Sequence, residues 1–206
     1  RTATLIILSL LETIQHLLSA RGSRVVDTAD MRIWATSDTH FGHEKLVEWG
    51  RPPDFGDRLL KSIRQNSGDM LIHCGDFCIG EDEKHVIAFM QAASGFTRKV
   101  LVRGNHDRKS YSWYLKMGFS HVCETMMFRM NKQNLLFSHI PILKRPNEHW
   151  GAFPPVMNIH GHLHGNNHRE GFQGNALYDK AYHYDLAPDI HGYQIVNLER
   201  LLNARG

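Results

Sequence analysis

Cysteine is scarce in this chain: Cys74, Cys78 and Cys123 are the three thiols in 206 residues, and none is spaced as Cys-x-x-Cys. An odd number without paired spacing excludes a disulfide framework and a zinc ribbon, and points to a reducing, cytoplasmic setting. Long apolar runs are also lacking. The richest stretch, Leu5 to Leu18, is interrupted by Glu12, Gln15 and His16, whereas a bilayer span needs ~20 mainly apolar residues. It has one basic residue in front of it and no small-x-small cleavage pattern, so it does not read as a secretory signal either. Charge of one sign is not blocked anywhere. The formal net charge of +3 is spread along the chain, which permits an anionic ligand without arguing for a nucleic-acid surface. Internal repeats and low-complexity tracts are missing as well.

What is abundant is histidine. Fifteen are present, an enrichment that raises the prior for metal ligation. The chain also divides by pattern. Residues 1–30 read as an appended segment, an apolar helix followed by the linker Ser19-Ala20-Arg21-Gly22-Ser23-Arg24. Residues 31–206 read as one domain, with its first strand directly after Met31. Strand signals near 32–37, 69–74 and 99–103 alternate with helix signals near Asp57–Gln65, Asp82–Ala93 and Tyr111–Met117. The second half is strand-rich, near 123–130, 135–138, 156–160, 181–186 and 193–197, with a turn at Asn131-Lys132-Gln133-Asn134. A βαβαβ half followed by a β-rich half predicts an α/β domain of two face-to-face sheets with helices outside.

Five apolar runs end abruptly in polar residues. Ile33-Trp34-Ala35-Thr36 leads into Asp38 and His40, and Met70-Leu71-Ile72 leads into Asp76. Val100-Leu101-Val102 leads into Arg103, Asn105, His106 and Asp107; Leu135-Leu136-Phe137 into His139; Met157-Asn158-Ile159 into His162 and His164. Ligands of open α/β sheets bind at the carboxyl ends of strands, so these bursts mark a common site. Asp38, His40, Asp76, Asn105, His139, His162 and His164 make seven potential metal ligands. One divalent cation needs fewer; two cations sharing a carboxylate use all seven, and such pairs, about 3.5–4 Å apart, clamp both oxygens of a phosphoryl displacement. Two divalent cations outweigh Asp38, Asp76 and a hydroxide in charge, so the pocket attracts a phosphate ester. A hydroxide held between them is a nucleophile at neutral pH. Four imidazoles favour Mn, Fe, Zn or Ni over Mg.

Asp38-x-His40, Gly75-Asp76, Gly104-Asn105-His106-Asp107, Ser138-His139 and Gly161-His162-x-His164 resemble, in order, the five signatures of the calcineurin-like metallophosphoesterase superfamily. The segment from Met31 to Phe77, with Ser37-Asp38-Thr39-His40-Phe41-Gly42-His43 and Gly50-Arg51-Pro52, is similar to the compact bacterial and phage members. The resemblance implies a four-layer fold, a two-sheet β-sandwich flanked by helices, with a dinuclear centre at one edge. It implies that Asp38, His40, Asp76 and His164 hold one metal, and Asp76, Asn105, His139 and His162 the other, with Asp76 as the bridge. It further implies that His106 protonates the leaving alkoxide, and that Arg103 binds a phosphate together with Asn105 and His106. One departure weakens the protein-phosphatase branch: the Asp that orients the acid histidine there is replaced here by Ile79.

The expected activity is hydrolysis of small-molecule or nucleotide phosphoesters, diesters ahead of monoesters, by in-line attack of a metal-bridging hydroxide. A nuclease or cyclic-nucleotide phosphodiesterase with the same site, and a non-catalytic scaffold on this fold, stand as alternatives. His43, His73 and His160 read as supporting or packing residues rather than ligands, and Trp49 and Arg51 either line a substrate mouth or anchor the turn at Pro52.

Overall fold

The computed structural model describes residues 31–143, 155–165 and 178–205. The expected helix and linker of residues 1–30, and most of the proline-rich and Gly/Asn/His-rich loops, lie outside the described residues.

The first sheet is built from the apolar runs that precede the polar bursts. Strands β1 (Ile33–Thr36), β2 (Gly68–His73), β3 (Phe96–Val102) and β4 (His121–Cys123) lie parallel, and β9 (Val196–Asn197) closes the edge antiparallel to β1, in the order β4-β3-β2-β1-β9. Parallel strands need long crossovers. Helices α1 (Lys45–Glu48) and α2 (Phe55–Arg64) follow β1, α3 (Asp82–Ala92) follows β2, and α4 (Tyr111–Lys116) follows β3. Phe55, Leu59 and Ile63 repeat every four residues along α2 and are all buried, the stripe a helix lays on a sheet. They join Leu71 and Leu101 of the strands, Val86 and Phe89 of α3, and Tyr114 of α4 in one apolar core. Alternation along the strands turns the buried residues Ile33, Ala35, Ile72, Val100 and Val102 to the other face.

The second sheet has the order β5-β6-β7-β8, from β5 (Thr125–Met130), β6 (Gln133–Ser138), β7 (Met157–His160) and β8 (His183–Asp185). β5 and β6 form a hairpin closed by Asn131 and Lys132 at φ 48° and 64°, the twist-matched two-residue turn that favours Asn at its first position. β6, β7 and β8 run parallel. Helix α5 (Leu198–Asn203), capped by the Asn197 side chain on the Arg200 N–H, packs back against β1. The result is the expected α/β architecture, two sheets flanked by helices in a single domain.

Three sequence expectations are corrected. The strand read at 123–130 is two strands: the chain leaves the first sheet at Cys123, turns at Glu124, and enters the second sheet at Thr125. An unbroken run of β-forming residues carries no mark of which sheet each half will join. The turn read at 131–134 shortens to two residues, because Gln133 and Asn134 pair with Met130 and Arg129. The strand read at 193–197 shortens to Val196–Asn197, since Tyr193 sits at φ 62° and cannot continue an extended segment.

Candidate active site

The expected ligands converge where the carboxyl ends of both sheets meet. β1 delivers Asp38 and His40, β2 delivers Asp76, β3 delivers Asn105 and His106, β6 delivers His139, and β7 delivers His162 and His164. They fall into two triads, Asp38 with His40 and His164, and Asp76 with His139 and His162; in each, the donor atoms lie within 4.8 Å of one another. Each triad draws on both sheets: Asp38, His40 and Asp76 come from the first, and His139, His162 and His164 from the second.

The loops are bent sharply to do this. Asp38, His40, Asp76, His162 and His164 have φ of 46°, 44°, 54°, 74° and 52°, a region costly for residues with a Cβ and concentrated at functional sites. Hydrogen bonds hold them there. The Asp38 and His40 N–H groups donate to the carbonyls of Gly75 and Asp76, which zips the first two loops together. Both Asp38 carboxylate oxygens accept from the His162 N–H, at 3.0 and 2.9 Å. Asp76 Oδ1 accepts from the His106 N–H at 2.9 Å. The loops approach so closely that a Cβ at Gly104 would overlap the Asp76 carboxylate, and one at Gly161 the Asp38 carboxylate.

Asp76 stands between the triads. Its Oδ2 is 3.5 Å from His40 Nε2, 3.4 Å from His139 Nε2 and 4.0 Å from His106 Nε2. On the other side, His164 Nε2 and His40 Nε2 lie 3.5 and 3.9 Å from Asp38 Oδ1. Burial opposes ionisation of Asp76, but the His139 and His40 rings and the His106 N–H outweigh it and hold the carboxyl well below its ordinary range. Burial lowers His40 to about 2, so this imidazole is neutral and its lone pair is free to ligate. Burial also works against protonation of His139, yet Asp76 and Asp38 raise it to about 9.

That last value exposes what the site requires. His139 Nδ1 lies 2.9 Å from the Cys74 carbonyl, which can only accept, so Nδ1 carries a proton. Its Nε2 then faces Asn105 Oδ1 at 2.9 Å, His162 Nδ1 at 3.2 Å and Asp76 Oδ2 at 3.4 Å. A carboxylate, an amide oxygen and two imidazoles converge, and among the described residues no lysine or arginine is paired with Asp38 or Asp76. Such a cluster needs positive charge at its centre, supplied either by a proton on His139 or by a divalent cation bound in its place. The donor set fits the cation.

The remaining expectations are placed as follows. His106 is at the rim, with its side chain 41 % exposed, beside a groove of about 1120 Å³ that it shares with His43, Ile79 and Trp113. Arg103 faces neither triad: its guanidinium pairs with Glu124 at 3.2 Å, donates to the Asp107 carbonyl and lies over the Tyr111 ring. These contacts tie it to the corner at which the chain changes sheets. His73 is fully buried against Phe77 and Phe89 and bonded to Thr39, and His160 is bonded to the Gly161 carbonyl and Tyr178. Both support loops, as their sequence positions suggested.

Three contributions escaped sequence reading. The Asp107 carboxylate turns away from the neighbouring His106 and accepts from the N–H groups of Asp76, Phe77 and Gly104 at 2.9, 3.0 and 2.7 Å. Arg51 is only 5 % exposed and points inward, to the Asp38 carbonyl and in a two-pronged bond to Asp189. Asp189 also contacts His164. The Gly-Arg-Pro stretch hinted at Arg51; nothing in Pro188-Asp189 distinguishes it from any other turn.

By fold and donor set, then, the molecule is a two-sheet α/β protein carrying two candidate metal triads at one sheet edge. The family model for calcineurin-like phosphoesterases matches residues 31–200, and the chain belongs to that family. Among solved structures, a protein of unknown function, AQ665 from Aquifex aeolicus, is 22 % identical, with a TM-score of 0.63 over 84 % of this chain and 98 % of its own. That likeness is one of fold. Weaker resemblances include Yfce, a phosphoesterase from E. coli (22 % identity, TM-score 0.41, 65 % of this chain and 70 % of that one). A novel archaeal phosphodiesterase resembles it at 17 % identity and a TM-score of 0.40, over 64 % of this chain and 73 % of that one. Comparison with curated protein sequences finds no match. No helix among the described residues is long and apolar enough to cross a membrane.

Proposed function

We propose that this chain hydrolyses phosphoesters with two divalent cations, one held by Asp38, His40, Asp76 and His164 and the other by Asp76, Asn105, His139 and His162. One observation carries the reading: Asp76 Oδ2 lies within 3.5 Å of an imidazole nitrogen from each triad, so a single carboxylate serves both donor sets. Four imidazoles suit Mn, Fe, Zn or Ni. When bound, such cations supply Lewis-acid charge to the phosphoryl oxygens and acidify a water molecule. Three buried free thiols suit a reducing, cytoplasmic setting.

The protein's own groups do the rest. The His106 N–H occupies Asp76 Oδ1 and leaves Oδ2 directed at the triads. The His106 ring, exposed at the groove, is the general acid for the leaving alkoxide. A leaving group departs toward its acid, so the groove beside His106 receives the alcohol. Ile79, Ile87 and Trp113 give it an apolar wall; its charged lining is mixed, with Glu81, Asp82 and Glu83 beside Lys84, Arg108 and Lys109, and Lys109 is paired with Asp82 at 3.5 Å. About 1120 Å³ lies just above the ~300–1,000 Å³ of drug-sized ligand pockets and far exceeds a small alcohol. This favours diesters with a bulky second ester group, nucleotides included, over simple monoesters.

The test is a Mn-reconstituted assay against bis-p-nitrophenyl phosphate and p-nitrophenyl phosphate, with metal content by emission spectroscopy. Metal-dependent turnover with the higher kcat/KM on the diester is expected. A protein that binds no divalent metal, or that turns over neither ester, would end the proposal.

A further inference from the structure

Arg51 and Asp189 form a buried clamp behind one triad. Asp189 Oδ1 accepts from Arg51 Nε at 2.9 Å and Oδ2 from Arg51 Nη2 at 2.7 Å, the two-pronged pairing of a guanidinium with a carboxylate. The same Asp189 Oδ2 lies 3.0 Å from His164 Nδ1. The guanidinium reaches further, to the carbonyls of Asp38 at 2.9 Å and Thr39 at 3.3 Å, and stacks over Phe55 at 5.1 Å. Asp38 and His164, two members of one triad that are far apart in sequence, are thus tied to one side-chain pair that belongs to neither.

The chemistry of His164 makes this pair decisive. Nε2 faces Asp38 Oδ1, and to ligate a cation it must carry a lone pair, which requires the proton on Nδ1. Nδ1 is in contact with two groups of opposite preference. Arg51 Nη2, 3.1 Å away, is always a donor and by itself favours an Nδ1 that accepts, with the proton on Nε2 facing the triad. Asp189 Oδ2 can only accept, and it occupies the Arg51 donor while taking the Nδ1 proton.

We infer that Asp189 is a positioning residue that selects the ligating tautomer of His164, with Arg51 fixing the carboxylate for that task and holding the strained Asp38 peptide. The inference rests on the two-cation reading above and adds to it which cation the clamp serves: the one at Asp38, His40 and His164. Loss of a carboxylate in this role costs roughly 10–100-fold in metal affinity.

The experiment compares intact wild type with D189N and D189E, titrated with Mn²⁺ by calorimetry and quantified by emission spectroscopy. D189N preserves shape but offers an amide N–H to His164 Nδ1, so it should weaken one of two sites by about 10–100-fold and leave the other unchanged. D189E, which restores a carboxylate, should recover part of the loss. A structural role alone would weaken both sites alike or neither. Two undisturbed sites in D189N, or equal losses at both, overturn the inference while leaving the two-cation reading intact; a wild type that binds no cation overturns both. Should D189N not purify folded, long-range ¹H–¹⁵N spectra of metal-free wild type decide, with a proton on His164 Nδ1 expected and one on Nε2 contradicting the inference.

Discussion

The two triads contain the same residue types and are held in different ways. In the first, of Asp38, His40 and His164, a side-chain pair adds to the main-chain bonds: Arg51 and Asp189 grip His164 and the Asp38 peptide from behind. Asp76, His139 and His162 are braced mainly through the main chain. The Cys74 carbonyl orients His139, the His106 N–H fixes Asp76 Oδ1, and Asp107 holds the Asp76 peptide rather than its side chain. A backbone acceptor cannot be removed by substitution, so the second triad should tolerate changes around it that would disable the first. The triads are not independent, however. The His162 N–H holds Asp38, whereas its ring belongs with His139, and Asp76 faces both.

The largest effect should come from erasing the distinction. D76N replaces the shared carboxylate with an amide that cannot balance the charge of two cations, so both should be lost and turnover should fall to background. Emission spectroscopy of the gel-filtered variant checks the metal, and a diester assay checks the rate. Full activity in D76N would remove the bridging role.

Next in size is the brace of the second triad that a substitution can reach. D107A leaves three N–H groups, those of the buried Asp76 and Phe77 and of the half-buried Gly104, without their acceptor. Stranded buried donors cost ~1–3 kcal/mol each, so with two fully buried a loss of roughly 2–4 kcal/mol is expected after some relaxation, read by denaturant unfolding of the metal-free protein. The contrast with D189N is the point: D107A should cost stability first, and D189N affinity at one site.

H106A touches neither brace. Its expected signature is a kcat loss of about 10²–10⁴-fold on esters with poor leaving groups and a much smaller one on p-nitrophenyl esters, whose phenolate leaves without a proton. Equal losses across a leaving-group series would remove His106 from the acid role.

The same comparison shows what the amino-acid sequence makes legible. Each proposed ligand follows a parallel strand at its carboxyl end, where the topology leaves a crevice, so apolar runs stopping at Asp or His single out Asp38, Asp76, His139 and His162, which the fold brings together. Asp189 had no such mark. It belongs to a short turn at Pro188–Ile190, and its role exists only because the second sheet brings His164 over Arg51. Arg103 shows the converse. Its place beside Gly104 suggested the site, but Glu124 and Tyr111, brought near by the change of sheet, take its guanidinium. Side chains whose job depends on tertiary neighbours are silent in the chain, and so is the break at Glu124 that decides which neighbours those are.

The smallest expected effect probes the two sheets from behind the site. His73 ends β2 in the first sheet and His160 ends β7 in the second; burial lowers each to about 3, against 6.5 for an unburied imidazole. Between these values the unfolded chain binds a proton that the folded chain refuses, so stability is fully present above pH 6.5 and is lost as pH falls toward 3. For one such histidine the slope is at most about 1.4 kcal/mol per pH unit. Replacing His73 by Gln keeps an N–H donor for Thr39 Oγ1, which itself donates to the Phe77 carbonyl, and removes the titration. Urea unfolding of metal-free wild type and H73Q at pH 7.0 and 5.5 should therefore show the wild type losing about 1 kcal/mol more than the variant over that interval. Histidines at the triads titrate in both proteins and cancel in the difference. Equal losses would mean that protons reach His73 in the folded state, and that the first sheet is less tightly closed beneath its loops than the second.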